Sequence, residues 1–133
     1  MSNPYLGSIR MFCGNFAPVD WAMCAGQLVA ISQNDALFNL IGTTYGGDGQ
    51  TTFGLPNMQG RTPVHMGTGQ GLSTRTLGDV GGSEQAVISL QGTARLSGPG
   101  TALVLRDNQI PTVSPFLAVN FIIANGGVFP SAN

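Results

Sequence analysis

The chain has 133 residues, a length that suits one domain with a single hydrophobic core. Only 8% of the residues are charged, the net charge is −1, and there is no Lys. This composition excludes the basic surface that nucleic acids or anionic membranes require. A surface so poor in charge favours association with other copies.

The N-terminus has neither the basic region nor the apolar stretch of a Sec signal peptide. The longest apolar run, 116–124, is much shorter than the ~20 residues that span a bilayer as a helix. We therefore expect no membrane insertion, and we expect any route out of the cell to be independent of Sec.

The first third of the chain predicts two extended stretches and one helix. Residues 5–13 read as a strand, and 21–31 as a second stretch with a corner at Ala25-Gly26. A short helix is predicted at about 33–41, with Ser32 as the N-cap and Gly42 as the stop. Its apolar face is predicted from the spacing of three residues: Leu37, Leu40 and Ile41.

The rest of the chain predicts short strands and long loops. Strands are expected at 61–66, where Pro63 restricts pairing to an edge, and at 86–90 and 101–105. The Gly-, Ser- and Thr-rich stretch 67–82 predicts a surface excursion. The strongest strand is 116–124, whose two apolar faces indicate a central strand or one covered by a partner chain. The predicted fold is mainly β with one short α-helix, as a compact single domain over 1–133 with long Gly-rich loops.

The stretch TTYGGDGQTTFGLPNMQGR, residues 43–61, raises the question of a phosphate or metal loop. A phosphate loop needs a Lys and opens a helix, and neither condition holds here. A calcium loop needs repeated carboxylates, whereas this stretch has Asp48 alone. The sequence therefore predicts a structural turn between Tyr45 and Phe53, in which Gly supplies positive φ values.

Residues that could support catalysis are few. His65 is the one His, there is no GxSxG motif, and the acidic residues lie in predicted turns or at a helix start. We predict no catalytic residues, no cofactor and no metal site from one chain. The alternative for a metal is three copies of His65 meeting on the axis of an oligomer.

Cys13 and Cys24 have two interpretations. They are small buried thiols, or they form a disulfide in an oxidising location. We expect them to lie close in space, because each comes late in a strand on either side of the turn at 14–20, and we favour free thiols.

Several segments together carry a family resemblance. They are GSIRMF (7–12), PVDWAMCAGQL (18–28), QNDALF (33–38), GTTYGGDG (42–49), TTFGLP (51–56), GGSE (81–84) and PFLAVNFII (115–123). In this order they resemble the phage tail collar domain family, which includes the microcystin-dependent proteins. The resemblance implies a non-enzymatic protein of a phage tail or a related assembly. It also implies that the glycine loop is a structural corner.

The chain departs from the family pattern in two places. Many members have a His-containing segment after Gly-Gly-x-Glu that holds a metal in some fibres, whereas this chain reads QAVISLQGTARLSGPG at 85–100. Members usually have Asp after the second Cys, and here the residue is Ala25. Fibre proteins often carry a long N-terminal shaft, and here the domain begins within a few residues of Met1, so length is expected to come from stacked copies.

Three functions compete. The first is a structural subunit of an extracellular fibre or phage-tail-like particle that binds itself as a homo-oligomer or filament. The second is a tip module that binds a receptor or glycan through loops 67–82 and 96–109, and the third is a small hydrolase. Both loops lack aromatic residues, which favours assembly over glycan binding. The suspected interface comprises Phe116, Leu117, Val119, Phe121 and Ile123, and residues 2–6 are a candidate strand for pairing with a neighbour.

Overall fold

A computed structural model of the chain describes residues 3–88 and 108–132. These residues form small antiparallel sheets and one short helix, which confirms the predicted mainly-β class. In chain order the elements are β1 (Ile9–Phe12), β2 (Trp21–Met23), β3 (Leu28–Ala30), a 3-10 turn (Ile31–Gln33), α1 (Asp35–Ile41), β4 (Thr52–Gly54), β5 (Gly67–Thr68), β6 (Thr74–Arg75), β7 (Gln85–Ile88), β8 (Asn108–Pro111) and β9 (Asn120–Ala124).

The chain divides into two compact units. Residues 3–79 and 118–132 belong to unit 1, and the described part of unit 2 comprises 80–88 and 108–117. Unit 1 contains sheets β1–β9–β2, β3–β4 and β5–β6, and unit 2 contains the pair β7–β8. The single domain over 1–133 stays a prediction.

Strand β9 is the centre of the three-stranded sheet in unit 1. Ile123 lies opposite Ile9 of β1 on one side and Ala22 of β2 on the other. Of the two alternatives for this segment, the structure therefore shows the central strand. The predicted strand over 116–124 begins only at Asn120, because Asn120 lies opposite Phe12, the last residue of β1. Beyond this pair the Asn120 side chain donates to the Gly14 carbonyl (2.7 Å).

The N-terminal segment pairs within its own chain. The Leu6 amide donates to the Val128 carbonyl (2.8 Å), and the Leu6 side chain is buried. Tyr5 forms an isolated parallel bridge with Val128. In the described structure this segment is therefore not a free strand for a neighbour, and residues 5–8 do not extend β1.

The core of unit 1 combines residues of α1, β4 and β9 with residues of the connecting segments. Six buried residues form one cluster: Leu6, Cys24, Leu37, Phe53, Leu55 and Ile123. Each fully buried large apolar side chain contributes roughly 1.5–3 kcal/mol relative to exposure. The cluster therefore fixes the N-terminal segment, α1 and β9 against the corner around β4.

The helix begins later than the sequence indicates. Ser32 lies in the 3-10 turn, and the N-cap of α1 is Asn34, whose side chain donates to the Ala30 carbonyl (3.1 Å) rather than accepting from the helix. The predicted Ser32 cap is wrong because the segment before α1 makes its own i+3 turn. The predicted stop at Gly42 is confirmed, with φ of 57° and a hydrogen bond from its amide to the Phe38 carbonyl.

The remaining predicted corners, strands and loops agree only in part with the structure. The corner at Ala25-Gly26 between β2 and β3 is confirmed, and Gly26 has a φ of 74°. No strand forms at 61–66, and the predicted surface excursion 67–82 is confirmed as a fully exposed segment with hairpin β5–β6. Strand β7 overlaps the predicted strand 86–90 and starts one residue earlier, and the strand predicted at 101–105 lies outside the described residues.

Candidate functional site

The glycine loop closes over β4 as a structural corner. The Gly49 amide donates to the Thr52 carbonyl (2.9 Å), and the Gly54 amide donates to the Gly46 carbonyl (2.8 Å). Gly47 has a φ of +92°, and a Cβ at that position would overlap the Cα of Phe53. Only glycine allows this approach of the loop to the buried strand.

Asp48 organises the loop with its carboxylate. Its Oδ1 accepts from the backbone amides of Gln50 (2.8 Å), Thr51 (3.0 Å) and Thr52 (3.0 Å). Its Oδ2 accepts from the Thr51 hydroxyl (3.1 Å). The backbone amides that donate to Asp48 hold its pKa well below the ordinary value, so the group stays ionised.

This hydrogen bonding decides what the loop can do chemically. The three amides that could cradle a phosphate are already occupied by the carboxylate of the loop itself. The carboxylate in turn has no second acidic partner for a cation, because the described residues contain no cluster of His, Cys, Asp or Glu able to hold a metal. The loop is therefore a corner, as the sequence predicted, and Asp48 is its hydrogen-bonded centre.

Other acidic residues also accept hydrogen bonds from backbone amides, either through their carboxylates or through their own backbone carbonyl. Asp79 accepts from the Thr76 amide (2.7 Å), and Asp35 accepts from the Ala36 amide (2.9 Å). The backbone carbonyl of Asp20, a residue with φ of 67°, accepts from the amides of Asn125 (3.0 Å) and Gly126 (3.2 Å). These residues stabilise turns.

His65 lies on the exposed segment before hairpin β5–β6. Its Nδ1 is 2.7 Å from the Met66 carbonyl oxygen, so this nitrogen is the donor. It lines an open depression of about 640 Å³ together with Val64, Leu72 and Arg75. All of these side chains are exposed, and among the described residues no polar or charged side chain is buried, so the depression lacks the desolvated groups of a catalytic pocket.

The two cysteines lie on opposite sides of β9. Cys13 directly follows β1, and Cys24 directly follows β2, with its amide donating to the Phe121 carbonyl (2.9 Å). Two strand spacings amount to roughly 9–10 Å, beyond the ~7 Å Cα separation that a disulfide tolerates. The expected closeness of the thiols is therefore wrong, because β9 inserts between the two strands, and both are free thiols, Cys13 exposed and Cys24 buried.

The suspected interface residues separate into two groups. Ile123 is buried in the core, and Phe121 packs against it. Phe116 and Leu117 are strongly exposed, at 80% and 86%, and Val119 is intermediate. Only the first part of the predicted interface is therefore available to a partner.

One surface contact had no counterpart in the sequence analysis. The Arg10 guanidinium lies over the ring of Trp21, 5.3 Å from its centroid. The two residues are on strands β1 and β2, on either side of β9. A cation–π contact of this kind covers the outer face of the sheet with side chains of the chain itself.

A comparison with protein families supports the structural reading of these residues. The family model Phage Tail Collar Domain matches residues 7–63, the segment that contains β1 to β4, α1 and the glycine loop. The predicted resemblance is confirmed over this segment. A search of curated proteins gave no match. None of the described helices is long and apolar enough to cross a membrane.

Proposed function

Because residues 7–63 carry a phage tail collar domain, we propose that the chain is a non-enzymatic subunit of a phage-tail-like assembly that binds copies of itself. This self-association gives a homo-oligomer or filament in an extracellular fibre or tail particle.

The balance of apolar side chains carries the proposal. Among the described residues, nineteen large hydrophobic side chains are exposed, whereas eight hydrophobic residues are buried. Single exposed apolar residues are ordinary, but this number exceeds the core itself. An obligate interface would remove such side chains from water.

Low charge supports the same proposal. Two copies of a chain with a net charge of −1 repel each other weakly, so apolar contact decides the association. The carboxylates of Asp35, Asp48 and Asp79 accept backbone hydrogen bonds, which supports a structural rather than catalytic use of the acidic residues.

The alternative proposal is an adhesin tip that binds a cell-surface receptor or glycan. The exposed excursion 67–82 favours it by position, since exposed loops often carry binding residues. That excursion contains no aromatic residue for stacking on a sugar ring. The assembly function is therefore preferred, and a glycan array with purified protein separates the two.

Sedimentation velocity of the wild-type protein tests the proposal, with negative-stain microscopy to show a ring or filament. We expect an oligomer at micromolar concentration in physiological salt. A wild-type monomer under these conditions would end the proposal, and glycan binding by that monomer would favour the adhesin.

A further inference from the structure

We propose that the apolar segment of unit 2, defined by Val113, Phe116 and Leu117, is a contact surface for another copy of this chain. This inference rests on the proposed function and assigns the association to particular side chains. Phe116 and Leu117 are 80% and 86% exposed, and Val113 is 47% exposed. Adjacent bulky side chains with this exposure are typical of the anchors of an interface.

The described part of unit 2 offers these side chains no cover of its own. Every residue at 80–87 and 109–117 is exposed. Its ladder β7–β8 has two strands, and a two-stranded ladder without a covered face is marginal in water. Cover from a partner would therefore stabilise the ladder as well as the apolar segment.

The main-chain groups at the edges of this ladder are poorly suited to strand addition, so a partner is expected to contact the side chains. The Thr112 amide donates to the Glu84 carbonyl (2.9 Å), so at the next position along the ladder the main-chain groups of Gln85 and Pro111 point outward. The Ser83 hydroxyl occupies both outward groups of Gln85, accepting from its amide (3.3 Å) and donating to its carbonyl (2.6 Å). Pro111 has no amide hydrogen to donate. At this level one edge is occupied and the other has no donor, which disfavours strand addition here and favours packing of apolar side chains.

The scarcity of charged side chains on this surface favours a second copy of this chain over a strongly charged partner. Glu84 is the one charged side chain in the described part of unit 2, so a strongly charged partner finds little complementarity there. A copy of this chain, with a net charge of −1, presents the same apolar, weakly charged surface.

The available area agrees with a stable contact between copies. Unit 2 exposes six large apolar side chains: Val80, Val87, Ile110, Val113, Phe116 and Leu117. Val87 and Ile110 lie on opposite faces of the ladder, so one contact can use at most five of them, about 500 Å² at on the order of 100 Å² each. A stable interface of ~800–1,000 Å² per partner, somewhat more than half of it apolar, needs about this much.

The double variant Phe116→Ser/Leu117→Ser tests the surface in the full chain, with Val19→Ser as the matched control. Val19 is 89% exposed and lies in unit 1. We expect the dissociation constant from sedimentation to rise at least tenfold for the double variant and to stay near the wild-type value for the control. An oligomeric wild type with an unchanged double variant, or an equal loss in Val19→Ser, would overturn the assignment while the proposed self-association stands.

A cross-linking experiment gives an independent result if the double variant does not fold. Leu117→Cys is made in a Cys13→Ser background, which removes the exposed native thiol, and Val19→Cys is the control. Mild oxidation should join two Leu117→Cys chains while leaving the control as single chains. Absence of the cross-link in a wild-type-like oligomer would place the contact elsewhere, and association that weakens strongly at high salt would show a charged rather than an apolar contact.

Discussion

Asp48 shows how one residue turns a glycine-rich stretch into a defined corner. Its carboxylate accepts three backbone amides and one hydroxyl, although the residue is exposed. Such bonds stabilise the ionised form specifically, because a protonated carboxyl is a weaker acceptor. The corner should therefore respond to acid.

Asp48→Asn is expected to destabilise the protein at neutral pH and progressively less as the pH falls below about 4. The pKa of Asp48 is lowered in the folded state, so its stabilisation is present above the unfolded value of about 4 and is lost as the pH falls toward the folded value. Urea midpoints of the wild type and variant are compared at neutral pH and at about pH 3. Asp35→Asn, which removes a carboxylate with one backbone bond, controls for the lost charge. A midpoint difference that is independent of pH would show that the ionised carboxylate is not what holds the loop.

The thiols offer a second test at the scale of single residues. Cys13 is exposed, whereas burial raises the pKa of the Cys24 thiol to about 11. Because the thiolate is the reactive form, Cys13 should react rapidly with a thiol reagent at neutral pH and Cys24 only on unfolding. Intact mass should show two free thiols per chain. A mass lower by two protons, or equal labelling of both residues in the native protein, would contradict this.

At the scale of elements, α1 tests which side chains hold the helix to the core. Leu37 is 1% exposed and belongs to the core cluster, whereas Leu40 is 36% exposed. Leu37→Ala should therefore cost about 2–5 kcal/mol, and Leu40→Ala about 1 kcal/mol or less. Denaturant unfolding measures both variants, each the control for the other. Equal losses would mean that both leucines are buried in solution.

The helix also shows what periodicity can and cannot predict. The spacing of Leu37, Leu40 and Ile41 identifies a helix, but spacing alone does not say which other side chains of the helix meet the core. Phe38 also meets the core, because its ring packs against Phe53 with the centroids 5.4 Å apart. Ser32 matched an N-cap pattern, yet the 3-10 turn before Asn34 moved the helix start. We therefore expect Ser32→Ala to change stability by under ~0.5 kcal/mol.

Sheet order was the part that sequence could not supply. Periodicity marked β1, β2 and β9 as apolar segments, but pairing over about a hundred residues depends on the whole core. Insertion of β9 between β1 and β2 separates Cys13 from Cys24 and buries Ile123, a residue that the sequence alone places in an interface. In contrast, the glycine corner was predictable, because positive φ values and a lone acidic residue are local properties of that stretch.

At the scale of the whole molecule, the two units differ in how they are stabilised. All six residues of the core cluster lie in unit 1, whereas every described residue of unit 2 with an assigned exposure is exposed. Unit 1 also contains the whole segment that matches the collar domain. Folding should therefore depend on unit 1, and association on the apolar segment of unit 2.

Replacement of residues 80–117 by a flexible Gly/Ser linker separates these roles. Unit 1 should still unfold cooperatively, because no residue of its core cluster is removed. Trp21 is the one Trp of the chain and lies in β2, so its fluorescence reports unit 1 in both the full-length and the shortened protein. Sedimentation of the shortened protein should show a monomer. Loss of the cooperative transition would show that unit 1 needs unit 2 to fold, and a folded shortened protein that still forms the wild-type oligomer would move the contact between copies to unit 1.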